Sequence, residues 1–120
     1  MKILIADDSR VMRKIVIRTL RQAGFGGHDI VEAATGNEAW DLTYAEFPDL
    51  ILSDWNMPEL TGIDLLARLR GAGSTVPFGF VTSEGSQEMR LRAKRAGALF
   101  LIAKPFTPES FHDALAPVLA

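Results

Sequence analysis

Apolar residues in this chain fall into short unbroken runs that alternate with stretches of helical spacing. Ile3–Ala6 is a run that ends at Asp7-Asp8. Ser9 can cap a helix in which Val11, Met12, Ile15, Val16, Thr19 and Leu20 recur three and four apart, with Arg10, Arg13, Lys14, Arg18 and Arg21 between them. Gly24 closes that helix and Gly26-Gly27 make a turn. His28–Ala33 reads as a second strand. Thr35 and Glu38 have the spacing of a capping box, and Ala39, Leu42, Thr43 and Phe47 mark the inner side of the helix they open. Pro48 stops it. Leu50–Ser53 is the third strand and ends at Asp54. Gly62 introduces a third helix with Ile63, Leu65, Leu66 and Leu69 inward, ending by Gly71 and Gly73. Val76–Thr82 is a fourth strand with Pro77 at its start, where a missing donor is tolerated. A weakly amphipathic helix over Gln87–Arg95 is closed by Gly97, Leu99–Ala103 is the fifth strand, and Thr107-Pro108-Glu109 open the last helix.

Strands that alternate with helices predict an α/β fold with a parallel sheet covered on both faces. The strands are continuous apolar runs rather than alternating ones, as burial on both faces requires. Right-handed crossovers then bring every strand's C-terminal end to one edge of the sheet, where open α/β sheets bind ligands. The residues at those ends are Asp7-Asp8, Asp54, Thr82-Ser83 and Lys104.

Composition narrows the reading without changing it. A length of 120 residues suits one domain, expected to span 1–120 with no room for an output domain. A net charge of −2 gives no basic excess for nucleic acid. The absence of cysteine removes disulfides and thiolate metal sites and agrees with a reducing cytosol. No apolar stretch approaches the roughly 20 residues that span a bilayer. A cytoplasmic monomer is expected.

Carboxylates gathered at one sheet edge repel one another and call for a cation. An all-oxygen donor set suits Mg²⁺. Lys104 offers a compact positive charge suited to phosphate, and Thr82 a hydroxyl that can donate to a phosphoryl oxygen. Together these are the parts of a phosphoryl-transfer site, where positioning and charge neutralisation carry most of the catalysis. The two histidines, His28 and His112, lie away from that edge, so no serine–histidine pair competes. A carboxylate nucleophile, Asp54, forming an acyl phosphate is the covalent route that remains.

Asp7-Asp8, Ser53-Asp54-Trp55-Asn56-Met57-Pro58, Thr82-Ser83-Glu84 and Lys104-Pro105-Phe106, in this order and each at a predicted strand end, resemble the signature of two-component response-regulator receiver domains. The resemblance covers the whole chain, including Gly62 and Gly97-Ala98, and is greatest to the single-domain chemotaxis regulators. It implies a flavodoxin-like (βα)5 sandwich with strand order 2-1-3-4-5. It implies that Asp54 accepts a phosphoryl group from a histidine kinase and that Lys104 and Thr82 hold the phosphoryl oxygens. It implies Mg²⁺ on Asp7, Asp8, Asp54 and the Asn56 carbonyl, and a cis bond before Pro105. Trp55, Asn56 and Glu84 stand where such domains tune hydrolysis of the acyl phosphate. The module is then a switch rather than an enzyme. Its surface of fourth helix, fifth strand and fifth helix meets a target, with the flagellar motor switch as the chemotaxis case.

Leu101 stands where the family usually carries Tyr or Phe, and Gly79 leaves a gap in the fourth strand. Phe100 should face away from Leu101, because side chains alternate along a strand. The Arg90, Arg92, Lys94 and Arg95 cluster reads either as a solvated face or as a dock for an acidic partner. Three other functions compete: a stand-alone receiver in another phosphorelay, a receiver-like module that no longer switches, and a haloacid-dehalogenase-like phosphatase. The last usually carries its nucleophile in a DxD motif after the first strand, where this chain has adjacent acids.

Overall fold

The apolar runs form strands and the spaced stretches form helices, in the order β1 (Lys2–Ala6), α1 (Arg10–Gln22), β2 (Asp29–Ala33), α2 (Gly36–Glu46), β3 (Leu50–Ser53), α3 (Gly62–Gly71), β4 (Phe78–Thr82), α4 (Gln87–Arg95), β5 (Phe100–Ala103) and α5 (Pro108–Leu119). A computed structural model describes residues 1–119; Ala120, the end of the expected domain, lies outside the described residues. The strands pair in parallel in the order β2-β1-β3-β4-β5, the flavodoxin-like order expected. Among the described residues no helix is long and apolar enough to cross a membrane.

Alternation along the buried strands divides the core in two. Ile3, Ile5, Leu50, Leu52, Val81 and Ile102 meet Val16 and Leu20 of α1 and Phe111 and Leu115 of α5. Leu4, Ile51, Phe78, Phe80 and Leu101 point the other way, onto Ala39 of α2, Leu65, Leu66 and Leu69 of α3, and Ala93 of α4. Leu101 and Phe100 therefore lie on opposite faces, as their positions in the strand demand.

Helix starts carry side-chain caps. The Ser9 hydroxyl accepts from the Met12 N–H at 3.1 Å. The Thr35 hydroxyl accepts from Glu38 at 3.0 Å, while the Glu38 carboxylate accepts from the Ala34 N–H, one residue earlier than in the usual capping box. Thr61 and Ser86 cap α3 and α4 in the same way.

Some expectations shift. β2, β4 and β5 begin at Asp29, Phe78 and Phe100 rather than at His28, Val76 and Leu99. Pro77 precedes its strand, although its carbonyl accepts from Ile51 N–H and so opens the ladder. Phe47 is not on the inner side of α2. It is the residue after the helix, left-handed at φ 49°, and that turn swings its ring outward to 77% exposure.

Gly79 is explained by its neighbour across the sheet. It pairs with Phe100, whose ring lies where a Cβ at position 79 would stand. Phe100 covers the gap that glycine leaves in a strand. Gly79→Ala should therefore destabilise the protein by about 2 kcal/mol. In a Phe100→Ala background the same change should cost less than half as much, a coupling that a double-mutant cycle of urea unfolding measures.

Candidate functional site

Three of the site residues hang on backbone bonds that continue the ladder one position past the strands. Asp7 N–H donates to Ala33 O at 3.0 Å, Asp54 N–H to Ala6 O at 2.8 Å, and Lys104 N–H to Thr82 O at 2.8 Å. The sheet itself therefore places the two acids and the lysine at its C-terminal edge. The Lys104–Pro105 bond is cis.

The Lys104 ammonium donates to Asp7 Oδ2 at 3.1 Å and to Asp54 Oδ2 at 3.3 Å. The remaining oxygens are held by the backbone: Asp7 Oδ1 accepts from Ser9 N–H at 2.9 Å and Asp54 Oδ1 from Trp55 N–H at 2.7 Å. The side chains of Lys104, Asp7 and Asp54 are only 15%, 6% and 13% exposed, so these ion pairs are screened less than surface pairs. Asp8 is exposed and completes the acid set: carboxylate oxygens of Asp7, Asp8 and Asp54 lie within 4.8 Å of one another. Hard anionic oxygens at that separation fit Mg²⁺, which prefers oxygen donors and retains water. A depression beside them is lined by Asp8, Asn56, Met57, Pro58 and Thr61.

The structure thus brings Asp7, Asp8, Asp54 and Lys104 together. Thr82 is fully buried at the end of β4, and its hydroxyl accepts from Glu84 N–H at 3.3 Å rather than contacting the acids. The Asn56 side chain donates to Glu84 Oε1 at 3.4 Å, so two of the three positions expected to tune hydrolysis touch each other. Trp55 lies in the loop after β3 and is buried there. Its ring packs on Phe80 at 4.8 Å, and the Arg92 guanidinium lies 5.3 Å over it.

Arg13 supports the site and was not visible as a site residue in the sequence. Its Nη1 donates to the Asp7 carbonyl at 2.7 Å and its Nε to Glu32 Oε1 at 3.0 Å, pinning the acid loop to α1 and β2. Its two partners lie six and nineteen residues away, and neither contact has a local sequence signal. Partial burial pushes the Glu32 pKa up, but bonds and charge from Arg13 and Lys14 together outweigh it and hold the carboxyl below its ordinary value of 4.5. A depressed carboxyl contributes stability above its unfolded pKa and loses it as pH falls through the folded one. Glu32→Gln should therefore be less stable than wild type near neutral pH, with the gap closing as pH drops below about 4.5 in thermal unfolding across pH.

Residues 3–116 match the family model described as response regulator receiver domain. The chain is 40% identical to a chemotaxis protein CheY homolog of Campylobacter jejuni, covering 99% of this chain and 92% of that protein. It is 38% identical to chemotaxis protein CheY1 of Helicobacter pylori, covering 99% and 97%. Among solved structures, chemotaxis response regulator CheY4 of Vibrio cholerae superimposes with a TM-score of 0.84 at 35% identity, covering 98% of each chain.

Proposed function

This chain belongs to the response regulator receiver domain family of two-component signalling, and from that premise we propose that it is a phosphorylation-activated switch whose phosphoacceptor is Asp54. The observation that carries the assignment is the Lys104 ammonium bonded to both Asp7 and Asp54, with Asp8 beside them. A carboxylate oxygen of Asp54 attacks the phosphorus of a phosphohistidine. The P–N bond breaks, the imidazole leaves, and an acyl phosphate forms. Lys104 follows the negative charge from the carboxylate to a phosphoryl oxygen, and the Thr82 hydroxyl donates to another. Asp7, Asp8, Asp54 and the Asn56 carbonyl would hold Mg²⁺, which would supply positive charge to offset the phosphoryl oxygens. Asn56 and Glu84, bonded to each other, govern how water reaches the acyl phosphate; that water attacks phosphorus, the P–O bond to Asp54 breaks, inorganic phosphate leaves and Asp54 is again a free carboxylate.

The partners are a histidine kinase or phosphotransfer protein and a downstream target. Two relatives named as chemotaxis proteins support a cytoplasmic chemotaxis role, with the flagellar motor switch as the target met by α4, β5 and α5. The other reading, a receiver-like module that no longer switches, draws on Leu101, which is buried where an aromatic switch residue is expected. Beryllofluoride with Mg²⁺ separates the two. A switch shows changed tryptophan fluorescence and shifted amide resonances from Thr82 through β5. A spectrum that stays unchanged favours the static module.

A further inference from the structure

α4 is held to the domain by little apolar packing. Ala93 is its single buried side chain, with Met89 half-buried beside it. Arginines take the place of that packing. Arg92 lies over Trp55, next to the acid site. Arg90 reaches back across the start of the helix, its Nε donating to Gly85 O at 3.2 Å and its Nη1 to Leu101 O at 2.9 Å. One planar guanidinium thus joins the loop between β4 and α4 to the edge strand β5. Its fixed fork suits two carbonyls held at a set separation.

The loop it holds begins at Thr82, whose hydroxyl accepts from Glu84 N–H. At Gly85 the loop lies so close to β5 that a Cβ there would come within 2.9 Å of the Ala103 Cβ. Turning the Thr82 oxygen toward a phosphoryl group strains that bond, which ties the loop at Glu84 to Thr82. A shift of Gly85 relative to β5 alters the distance between the two carbonyls that Arg90 spans. Leu101 cannot report that movement through a rotating ring. It takes part through its carbonyl, one residue position that any side chain would offer equally.

We propose that Arg90 is a positioning residue that clasps Gly85 to Leu101 in the resting protein and opens when Thr82 engages a phosphoryl group, carrying the signal to the α4–β5 face. This rests on the proposed receiver function. Arg90 also borders the groove lined by Ala93, Lys94, Leu99 and Leu101, so its release changes that face. A ligand shifts such an equilibrium only by its preference for one state, so weakening the resting clasp makes the phosphoryl-bound state easier to reach.

The test compares wild type with Arg90→Met, which keeps the apolar stem, and Arg90→Lys, whose compact ammonium cannot bridge both carbonyls. Beryllofluoride is titrated at saturating Mg²⁺, with tryptophan fluorescence as the signal, read in a Trp40→Phe background so that it reports Trp55. Its half-saturating concentration should fall about fivefold in Arg90→Met and by less in Arg90→Lys, with Mg²⁺ binding alone unchanged. Amide exchange over residues 84–89, measured without any phosphoryl analogue, should rise severalfold in Arg90→Met. A half-saturating concentration equal to or above that of wild type overturns the proposal, as does a parallel change in Mg²⁺ affinity. A wild type that ignores beryllofluoride removes the receiver reading instead. The exchange experiment then judges the clasp by itself, and unchanged exchange in Arg90→Met overturns it.

Discussion

Lys104→Met should slow phosphoryl uptake from acetyl phosphate about a hundredfold while Mg²⁺ binds more tightly, a pair of opposite effects with one cause. The ammonium sits on Asp7 Oδ2 and Asp54 Oδ2, oxygens of two of the three carboxylates that could hold a divalent cation. Removing it frees those oxygens and leaves neighbouring carboxylates to repel one another, both of which favour the metal. The charge that would meet the developing phosphoryl oxygens is lost at the same time, and fixed donors of that kind are worth about 10²–10³ in rate. Thermal unfolding gives an independent check, because a ligand stabilises in proportion to its affinity for the native state. The rise in Tm on adding Mg²⁺ should be larger in Lys104→Met than in wild type. Uptake at the wild-type rate, or weaker Mg²⁺ binding, contradicts the assigned role of Lys104.

Gly62→Ala should cost about 3 kcal/mol of stability and take the acid site with it. Gly62 opens α3, and its N–H donates to Trp55 O at 2.7 Å, closing the loop that follows Asp54. A Cβ there would run into the Asp54 carbonyl and reach the Phe80 ring. Backbone cannot step aside as a side chain can, so relief requires moving Asp54 itself or lifting α3 off Leu65, Leu66 and Leu69, its buried face. Gly71→Ala is the matched control. It lies in the same helix with nothing near a new Cβ, and alanine there should be neutral or stabilising by up to about 1 kcal/mol. Urea midpoints of the two variants should move in opposite directions or differ by nearly the whole Gly62 effect.

How much of this was legible in the chain depends on the range over which each feature is decided. Asp7, Asp54 and Lys104 could be placed together because buried parallel strands end where their apolar runs end, and the crossover rule puts those ends on one edge. Strand ends fixed in this way join Asp7 to Lys104, 97 positions further along the chain, whatever their side chains do. They do not reveal that Lys104 spans both acids, nor that Thr82 bonds to Glu84 instead of facing them, because rotamers are settled by packing.

The errors have the same origin. Phe47 fits a helical spacing, but the helix ends one residue before it and the left-handed cap turns the ring to solvent. The reading of Arg90 and Arg92 as part of an exposed basic cluster holds, but it does not reveal that Arg90 bonds to Gly85 and Leu101 or that Arg92 lies over Trp55, contacts set by how α4 lies on the sheet. Gly79 and Phe100 each look odd alone; the register that makes them complementary exists only once β4 and β5 pair.

The central claim is that Asp54 is the phosphoacceptor, and intact-mass measurement after incubation with Mg²⁺ and acetyl phosphate tests it most directly. Wild type should gain the mass of a single phosphoryl group that is released by hydroxylamine, and Asp54→Asn should gain none. A wild type without the adduct, or an Asp54→Asn protein that carries it undiminished, would contradict the account.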